Sequence, residues 1–185
     1  MIGSVVPEES VILVDGHDNC TGVMEKMDAH RLGLLHRAFS VFIFNDRDEL
    51  ILQRRAPGKY HSAGLWTNTC CGHPRPGEDV IAAAQRRLME EMGICCALVH
   101  RFTFRYTADV GSGLRENELD HVFVGRYGGL IHADPAEADA WRTIALDALQ
   151  LEMSNEHDRF TAWLHACIGR VARADRPPAR VTEPE

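Results

Sequence analysis

Residues 72–94 carry acidic and basic side chains at a spacing that places them on one face of a helix. The segment reads Gly72-x5-Glu78-x7-Arg86-Arg87-Leu88-x-Glu90-Glu91-x-Gly93-Ile94. Clustered carboxylates repel one another unless a hard cation such as Mg²⁺ joins them, and Mg²⁺ in turn binds phosphate oxygens. The plainer alternative is a solvated helix with Arg86/Glu90 and Arg87/Glu91 ion pairs. That alternative explains the charges but not the flanking glycines, so the pattern favours a metal and phosphate site.

This pattern resembles the Nudix box, G-x5-E-x7-R-E-U-x-E-E-x-G-U, in which U is a bulky apolar residue. Every fixed position matches except one, because Arg87 stands where the box has glutamate. In Nudix hydrolases, several of these acids hold metal ions and activate water. The arginine removes one acid and adds a cation that pairs with phosphate. The resemblance therefore implies a Nudix relative that holds a diphosphate without cutting it.

A second set of motifs lies on both sides of this segment. It comprises Glu25-Lys26 with His30, Leu35-His36-Arg37-Ala38-Phe39-Ser40, Trp66-Thr67-Asn68 leading to Cys71-Gly72-His73-Pro74, Phe104-Arg105-Tyr106 and Glu116-Asn117-Glu118. With the altered box, these motifs resemble the type I isopentenyl-diphosphate Δ-isomerases over residues 11–163. The resemblance implies a Nudix-like α+β fold, with a mixed β-sheet sandwiched between helices. It also implies interconversion of isopentenyl diphosphate and dimethylallyl diphosphate through a tertiary carbocation, in isoprenoid biosynthesis.

The same resemblance implies two divalent-metal sites. At one site, five residues match the family's ligands: His30, His36, His73, Glu116 and Glu118. Three imidazoles and two carboxylates suit Mn²⁺, Zn²⁺ or Mg²⁺ in roughly octahedral geometry. Glu91 matches the acid that holds a second ion, Mg²⁺, which arrives with the diphosphate. The remaining histidines lack such contexts and are predicted to be surface or packing residues: His17, His61, His100, His121, His132, His157 and His165.

Four residues match the family's proton-transfer machinery. Cys71 matches the catalytic cysteine and Glu118 the second proton-transfer group, while Tyr106 matches a tyrosine that hydrogen-bonds this acid. Cys70 is adjacent to Cys71, and alternating side-chain directions should turn it away from the pocket. Trp163 aligns with a tryptophan whose ring stabilises the cation by about 2 kcal/mol when desolvated. The alternative for Trp163 is a core residue of the last helix.

Four basic residues match the positions that bind the diphosphate: Lys26, Arg55, Lys59 and Arg87. The chain as a whole is acidic, with a formal net charge of -7. This balance argues against a general nucleic-acid binder, which needs a basic surface. A few local arginines and a metal ion can still hold a diphosphate. The predicted partner is therefore a small-molecule diphosphate and not a nucleic acid.

The cysteines and the apolar runs indicate the cellular location of the protein. Six cysteines include two adjacent pairs, Cys70–Cys71 and Cys95–Cys96, which make a poor disulfide framework. Residues 1–10 carry acids and lack the layout of a signal peptide. No apolar run approaches the roughly 20 residues of a spanning helix. We expect a cytoplasmic protein that does not enter a membrane, and nothing in the sequence demands a dimer, so we expect a monomer.

The elements that must position these residues are predicted from periodicity. The length of 185 residues indicates one domain, residues 1–172, with a flexible tail at 173–185. Apolar runs predict strands over residues 11–14, 38–44, 50–52, 99–106 and 121–127, with a loop at 54–64. Ile81, Ala84, Leu88 and Met92 recur at helical spacing and predict a helix over 79–92, closed by Gly93. A last helix is predicted over about 156–171.

Two other functions stay open. A Nudix hydrolase of a nucleotide diphosphate is consistent with the rest of the box and is opposed by Arg87. A non-enzymatic Nudix-like binding module predicts loss of the chemistry-bearing residues, yet Cys71, His73, Glu116 and Glu118 are all present.

Overall fold

The computed structural model describes residues 9–173. Its strands are Ser10–Val14 (β1), Cys20–Glu25 (β2), His36–Phe44 (β3), Leu50–Arg55 (β4), Trp66–Thr67 (β5), Cys70–Gly72 (β6), Leu98–Gly111 (β7), Leu114–Arg126 (β8) and Ala138–Ile144 (β9). Its α-helices are Lys26–Leu32 (α1), Val80–Met92 (α2), Leu146–Asn155 (α3) and Ala162–Arg173 (α4). The predictions for residues 1–8 and for the tail beyond Arg173 lie outside the described residues. Within the described range, no helix combines the length and apolar character needed to cross a membrane.

Strand β3 is the centre of a mixed sheet. It runs parallel to β8 over nine residue pairs, from His36↔Glu118 to Phe44↔Arg126. It also pairs antiparallel with β1, β4 and β6. Strand β7 extends the sheet beyond β8, and β9 pairs with β4. This register brings the starts of β3 and β8, where the predicted metal ligands stand, to the same edge of the sheet.

Helices cover both faces of the sheet, because side chains alternate along each buried strand. Phe42 and Phe44 of β3 pack in one core cluster with residues of α3 and α4. Val41 and Ile43 pack in the other, with Leu88 and further residues of α2. The predicted α+β fold, a mixed sheet sandwiched between helices, is confirmed.

Helix α2 follows the predicted pattern. The Asp79 carboxylate accepts hydrogen bonds from the N–H groups of Ile81 and Ala82, which satisfies two free donors of the first turn. Gly93 ends the helix in the left-handed region, with φ of 65°. Leu88 and Met92 are fully buried. The glycine at the C-cap and the aspartate at the N-cap therefore set the limits of the helix that carries Arg87.

The predicted number of helices and the predicted limits of the last helix were wrong. The sequence predicted two helices, but the described residues form four α-helices, because the short α1 and α3 were missed. The predicted helix at 156–171 is a 3-10 turn, His157–Arg159, followed by α4. Phe160 is extended between them, and the Thr161 N–H donates to the Trp66 carbonyl at 3.0 Å. This contact with a distant strand interrupts the helix, and local periodicity does not report it.

The strands were predicted too short. The predicted strands at 99–106 and 121–127 are parts of the long hairpin β7–β8, which turns at Ser112 and Gly113. Most of β7 beyond Leu98 is partly or fully exposed, so the apolar signal is weak along it. The predicted loop at 54–64 begins two residues later, because Arg54 and Arg55 belong to β4. Strands β2, β5, β6 and β9 were not predicted.

Candidate active site

A cavity of about 610 Å³ opens at the edge of the sheet where β3, β6 and β8 meet. Eleven of the predicted site residues line it: Lys26, Arg55, Lys59, Cys71, His73, Arg87, Glu91, Tyr106, Glu116, Glu118 and Trp163. The other two, His30 and His36, are fully buried. His30 contacts Glu116, and His36 contacts Glu118. The structure therefore brings all the predicted site residues into one region.

Glu118 contacts two of the predicted metal-ligating histidines. Its Oε1 atom lies 2.9 Å from His73 Nε2 and 3.6 Å from His36 Nε2. Together with His30, these three residues place one ligand atom each within 4.8 Å of one another. His36 reaches Glu118 because the two residues are register partners on the parallel strands β3 and β8. Four of the five predicted ligands thus form one compact donor group.

Backbone carbonyls orient two of these rings. His30 Nδ1 donates to the Lys26 carbonyl oxygen at 2.6 Å, one turn earlier in α1. His36 Nδ1 donates to the Leu34 carbonyl oxygen at 2.8 Å. A hydrogen on Nδ1 leaves Nε2 with a free lone pair, which is the arrangement of metal-ligating histidines. Burial lowers the pKa of His73 to about 4, so this ring is neutral near pH 7, whereas for His30 the neighbouring Glu116 outweighs burial and raises the pKa of the ring.

Glu116 forms a second donor group with His30 and His61. Its Oε2 atom lies 3.2 Å from His30 Nε2, and its Oε1 atom lies 2.9 Å from His61 Nε2. His61 was predicted to be a surface or packing residue. It is buried, as a packing residue would be, and it also lines the cavity.

The donor atoms at this edge fit a divalent cation. Among the described residues, His30 Nε2, His36 Nε2 and Glu116 Oε2 are buried without a hydrogen bond. Buried polar atoms without partners cost free energy, so a group of them aimed at one place indicates a ligand. Imidazole nitrogen and carboxylate oxygen suit a borderline or hard metal ion. The residues present therefore fit a divalent ion at this site.

The two adjacent cysteines point to opposite sides of β6. Cys70 is fully buried in the core cluster that packs on α2. Cys71 lines the cavity and pairs across the sheet with Ser40 of β3. Desolvation raises the pKa of the Cys71 thiol to about 12, so it stays protonated near pH 7. The expectation that Cys70 turns away from the pocket agrees with this geometry.

Glu118 meets Tyr106 on its other oxygen. The Tyr106 hydroxyl donates to Glu118 Oε2 at 2.5 Å, because the two residues are register partners in the β7–β8 hairpin. Burial alone would favour the neutral acid, but the adjacent His36 and His73 rings hold the pKa of Glu118 well below its usual range. A carboxylate at Glu118 therefore stands in the same cavity as a protonated thiol at Cys71.

The four predicted diphosphate-binding cations stand along the cavity wall. Arg87 pairs with Glu91 at 2.7 Å and with Glu137 at 3.0 Å, and Lys59 also contacts Glu137. Arg55 donates to the His61 carbonyl oxygen at 3.1 Å. Glu137 was not singled out from the sequence, since a lone acid in a loop carries no pattern. Its carboxylate contacts both Arg87 and Lys59 at the cavity wall.

Lys26, the fourth of these cations, stands on α1. Its ammonium group lies 2.9 Å from Glu9 Oε2 and 4.5 Å from the centre of the Tyr60 ring. Its side chain is about 20% exposed, so it remains accessible from the cavity that it lines.

The acids of the altered box are held by ion pairs. Arg86 pairs with Glu78 at 2.7 Å and with Glu90 at 3.2 Å, so the i,i+4 pairs of the plainer alternative are present. Glu91 differs from the other two acids because it is buried. Its carboxylate accepts from the Gln53 amide at 2.8 Å and from Arg87. Glu91 is thus the box acid that faces the cavity.

Trp163 reaches the cavity from α4. Its ring is buried, and its Nε1–H donates to Asn68 Oδ1 at 3.0 Å. The Arg55 guanidinium lies 5.2 Å from the ring centre. The two roles predicted for Trp163 are therefore compatible, because the residue is both buried in the protein and part of the cavity wall. Asn68, which fixes the indole, was not singled out from the sequence.

Comparisons with known proteins identify the family of this chain. The NUDIX domain family matches residues 34–164. A relative from Aromatoleum aromaticum, named isopentenyl-diphosphate Delta-isomerase 2, is 51% identical over 164 residues, which are 89% of this chain and 87% of the relative. The isopentenyl-diphosphate Delta-isomerase of Pectobacterium atrosepticum is 46% identical over 90% of this chain and 93% of its own length.

Solved structures share the fold at low sequence identity. A crystal structure of a Deinococcus radiodurans protein superimposes with a TM-score of 0.74 at 19% identity, over 88% of this chain and 98% of that one. The MutT protein of Methanosarcina mazei gives a TM-score of 0.63 at 18% identity, over 75% of this chain and 94% of that one. With the family match and relatives at about half identity, the chain belongs to the Nudix superfamily and, within it, to the isopentenyl-diphosphate Δ-isomerase family.

Proposed function

We propose that this protein is an enzyme that interconverts isopentenyl diphosphate and dimethylallyl diphosphate, and that the cavity at the edge of the sheet is its active site. The observation that carries the proposal is one protonated thiol and one carboxylate lining the same cavity, at Cys71 and Glu118. Isomerisation needs one proton delivered to the double bond and one removed from a neighbouring carbon. These two residues are the donor and acceptor groups that such an exchange requires.

The proton balance of the reaction is simple. Addition of a proton to the terminal alkene carbon leaves a tertiary carbocation, and loss of a proton from the adjacent methylene forms the more substituted double bond. The enzyme gains as many protons as it loses, so no external oxidant or reductant is needed. An alkene is a very weak base, which is why the acid must be positioned in a site that excludes water. Trp163 would place an aromatic ring beside the cation.

Lys26, Arg55, Lys59 and Arg87 would hold the diphosphate, with Mg²⁺ at Glu91. A Mg²⁺ ion there would supply charge neutralisation for the phosphate oxygens. The His30, His36, His73, Glu116 and Glu118 group would hold Mn²⁺, Zn²⁺ or Mg²⁺ and fix the position of Glu118. The six cysteines are free thiols, which supports the predicted cytoplasmic location. The monomeric state remains a prediction.

The function is tested by incubating purified protein with isopentenyl diphosphate, Mg²⁺ and Mn²⁺. We expect dimethylallyl diphosphate with no release of phosphate, measured by NMR and by a phosphate assay. In D₂O, the product should carry deuterium, because a solvent-derived proton is added. A Glu118→Ala variant with unchanged circular dichroism serves as the inactive control. Release of phosphate without dimethylallyl diphosphate would support the Nudix hydrolase instead.

A further inference from the structure

His61 is a buried imidazole beside the predicted metal site, in the loop between β4 and β5. Its side chain is only 3% exposed, and its Nε2 atom lies 2.9 Å from Glu116 Oε1. That nitrogen has no well-aligned hydrogen bond to any described residue. A buried imidazole nitrogen directed at a carboxylate of the site therefore has no partner other than Glu116.

The two oxygens of Glu116 face different histidines. Oε2 lies 3.2 Å from His30 Nε2, while Oε1 lies near His61. The rings of His30, His36 and His73 form the compact part of the group, with centroids 4.8 to 5.7 Å apart. The His61 ring stands at its edge, 6.0 Å from His30, and belongs to the smaller donor group with Glu116. His61 thus contacts Glu116 Oε1, while Glu116 Oε2 faces His30 of the compact group.

Neighbouring side chains hold the His61 ring in place. The ring packs edge-on against Tyr60 at 4.4 Å and against Trp163 at 5.9 Å. Its backbone carbonyl accepts from the Arg55 guanidinium at 3.1 Å. A residue fixed on its ring and its backbone can hold a partner in one orientation. The ring and the backbone of His61 are therefore both held in place beside Glu116.

We propose that His61 is a positioning residue of the metal centre. Its Nε2–H donates to Glu116 Oε1, so that Oε2 stays directed toward the ion. The inference rests on the proposed role of Glu116 as a metal ligand. Groups that hydrogen-bond a ligating carboxylate typically raise metal affinity by about 10–100-fold. A direct ligand would instead be essential for binding.

The test measures Mn²⁺ affinity by competition with a fluorescent chelator, which needs no activity assay. We expect His61→Leu to weaken binding by about 10–100-fold. We expect His61→Gln, whose side-chain amide can donate from a similar position, to stay within a few-fold of the wild type. His121→Leu is the matched control, because His121 also contacts a carboxylate, Asp18, at 3.0 Å on the opposite face of β8. Thermal unfolding of the metal-free proteins establishes that each variant is folded.

Three results would overturn the proposal. Wild-type affinity in folded His61→Leu would mean that His61 does not act on the site. Complete loss of Mn²⁺ binding in His61→Leu would make His61 a direct ligand, and failure of His61→Gln to retain affinity would exclude the donated hydrogen bond. These results differ from a failure of the proposed function, in which the wild type itself binds no Mn²⁺ or yields no dimethylallyl diphosphate.

Discussion

At the scale of single residues, the site depends on groups that share one cavity but carry different protonation states. The pKa of Cys71 is raised by desolvation, whereas the pKa of Glu118 is lowered by its histidine partners. Two titratable groups pushed in opposite directions are a common mark of an acid and a base in one active site. Tyr106 adds a hydrogen bond that fixes the carboxylate. Cys71 and Glu118 line the same cavity although they are 47 residues apart in the sequence.

Replacing Cys71 by alanine should remove the thiol without disturbing the fold. We expect turnover to fall by about 10²–10⁴-fold, which is the usual contribution of a positioned acid or base. The measurement is the rate of dimethylallyl diphosphate formation at saturating substrate. Cys70→Ala is the matched control, because Cys70 lies in the core and away from the cavity. Loss of turnover in Cys70→Ala with near-normal turnover in Cys71→Ala would assign the proton transfer to Cys70 instead.

At the scale of elements, helix α2 connects the fold to the phosphate-binding wall. Its apolar face, with Leu88 and Met92, packs on the sheet. Its polar face presents Arg87 and Glu91 to the cavity. The spacing of the box therefore places the apolar residues on the face of α2 that packs on the sheet and these two charged residues on the face that lines the cavity. The ion pairs along the helix are compatible both with a solvated helix and with a metal and phosphate site.

The N-cap of α2 offers a direct measure of how this helix is held. Asp79→Ala removes the acceptor of two backbone N–H groups, and we expect a loss of about 1 kcal/mol in the free energy of unfolding. The measurement is urea denaturation followed by circular dichroism. Gln85→Ala, at an exposed position in the same helix, should change stability by less than about 0.5 kcal/mol. Equal stabilities for Asp79→Ala and the wild type would contradict the assigned cap.

At the scale of the whole molecule, the site is assembled from every layer of the fold. Helix α1 supplies His30, strands β3 and β8 supply His36 and Glu118, and α4 supplies Trp163. These parts meet because β3 pairs in parallel with β8 at the edge where α1 enters. Several buried polar atoms at this point lack partners within the described chain. An ion there would add a further link between elements that strand pairing and packing already join.

Removing the metal should therefore destabilise the whole domain. We expect chelator-treated protein to unfold about 5–10 °C below the Mn²⁺-loaded protein. An ion at about 100 times its Kd contributes about 2.7 kcal/mol, and a domain of this size shifts by about 2–4 °C per kcal/mol. Differential scanning calorimetry measures the shift. The double variant Glu116→Gln/Glu118→Gln should lose the metal dependence. If neither the chelator nor added Mn²⁺ changes the unfolding temperature of the wild type, the metal site is contradicted.

The sequence by itself determined the family, the α+β fold and the limits of helix α2. These follow from local signals: residue types at fixed spacing, an N-cap aspartate and a C-cap glycine. The structure brings the thirteen predicted site residues into one region.

Only the tertiary structure decided how the elements meet. The break before α4 depends on a contact between Thr161 and Trp66. The orientation of Cys71 follows from the register between β6 and β3. The contact of His61 with Glu116 joins residues 55 positions apart, and no local pattern marks it. Periodicity reports which side of an element is apolar, but it does not report which distant side chain a polar residue will meet.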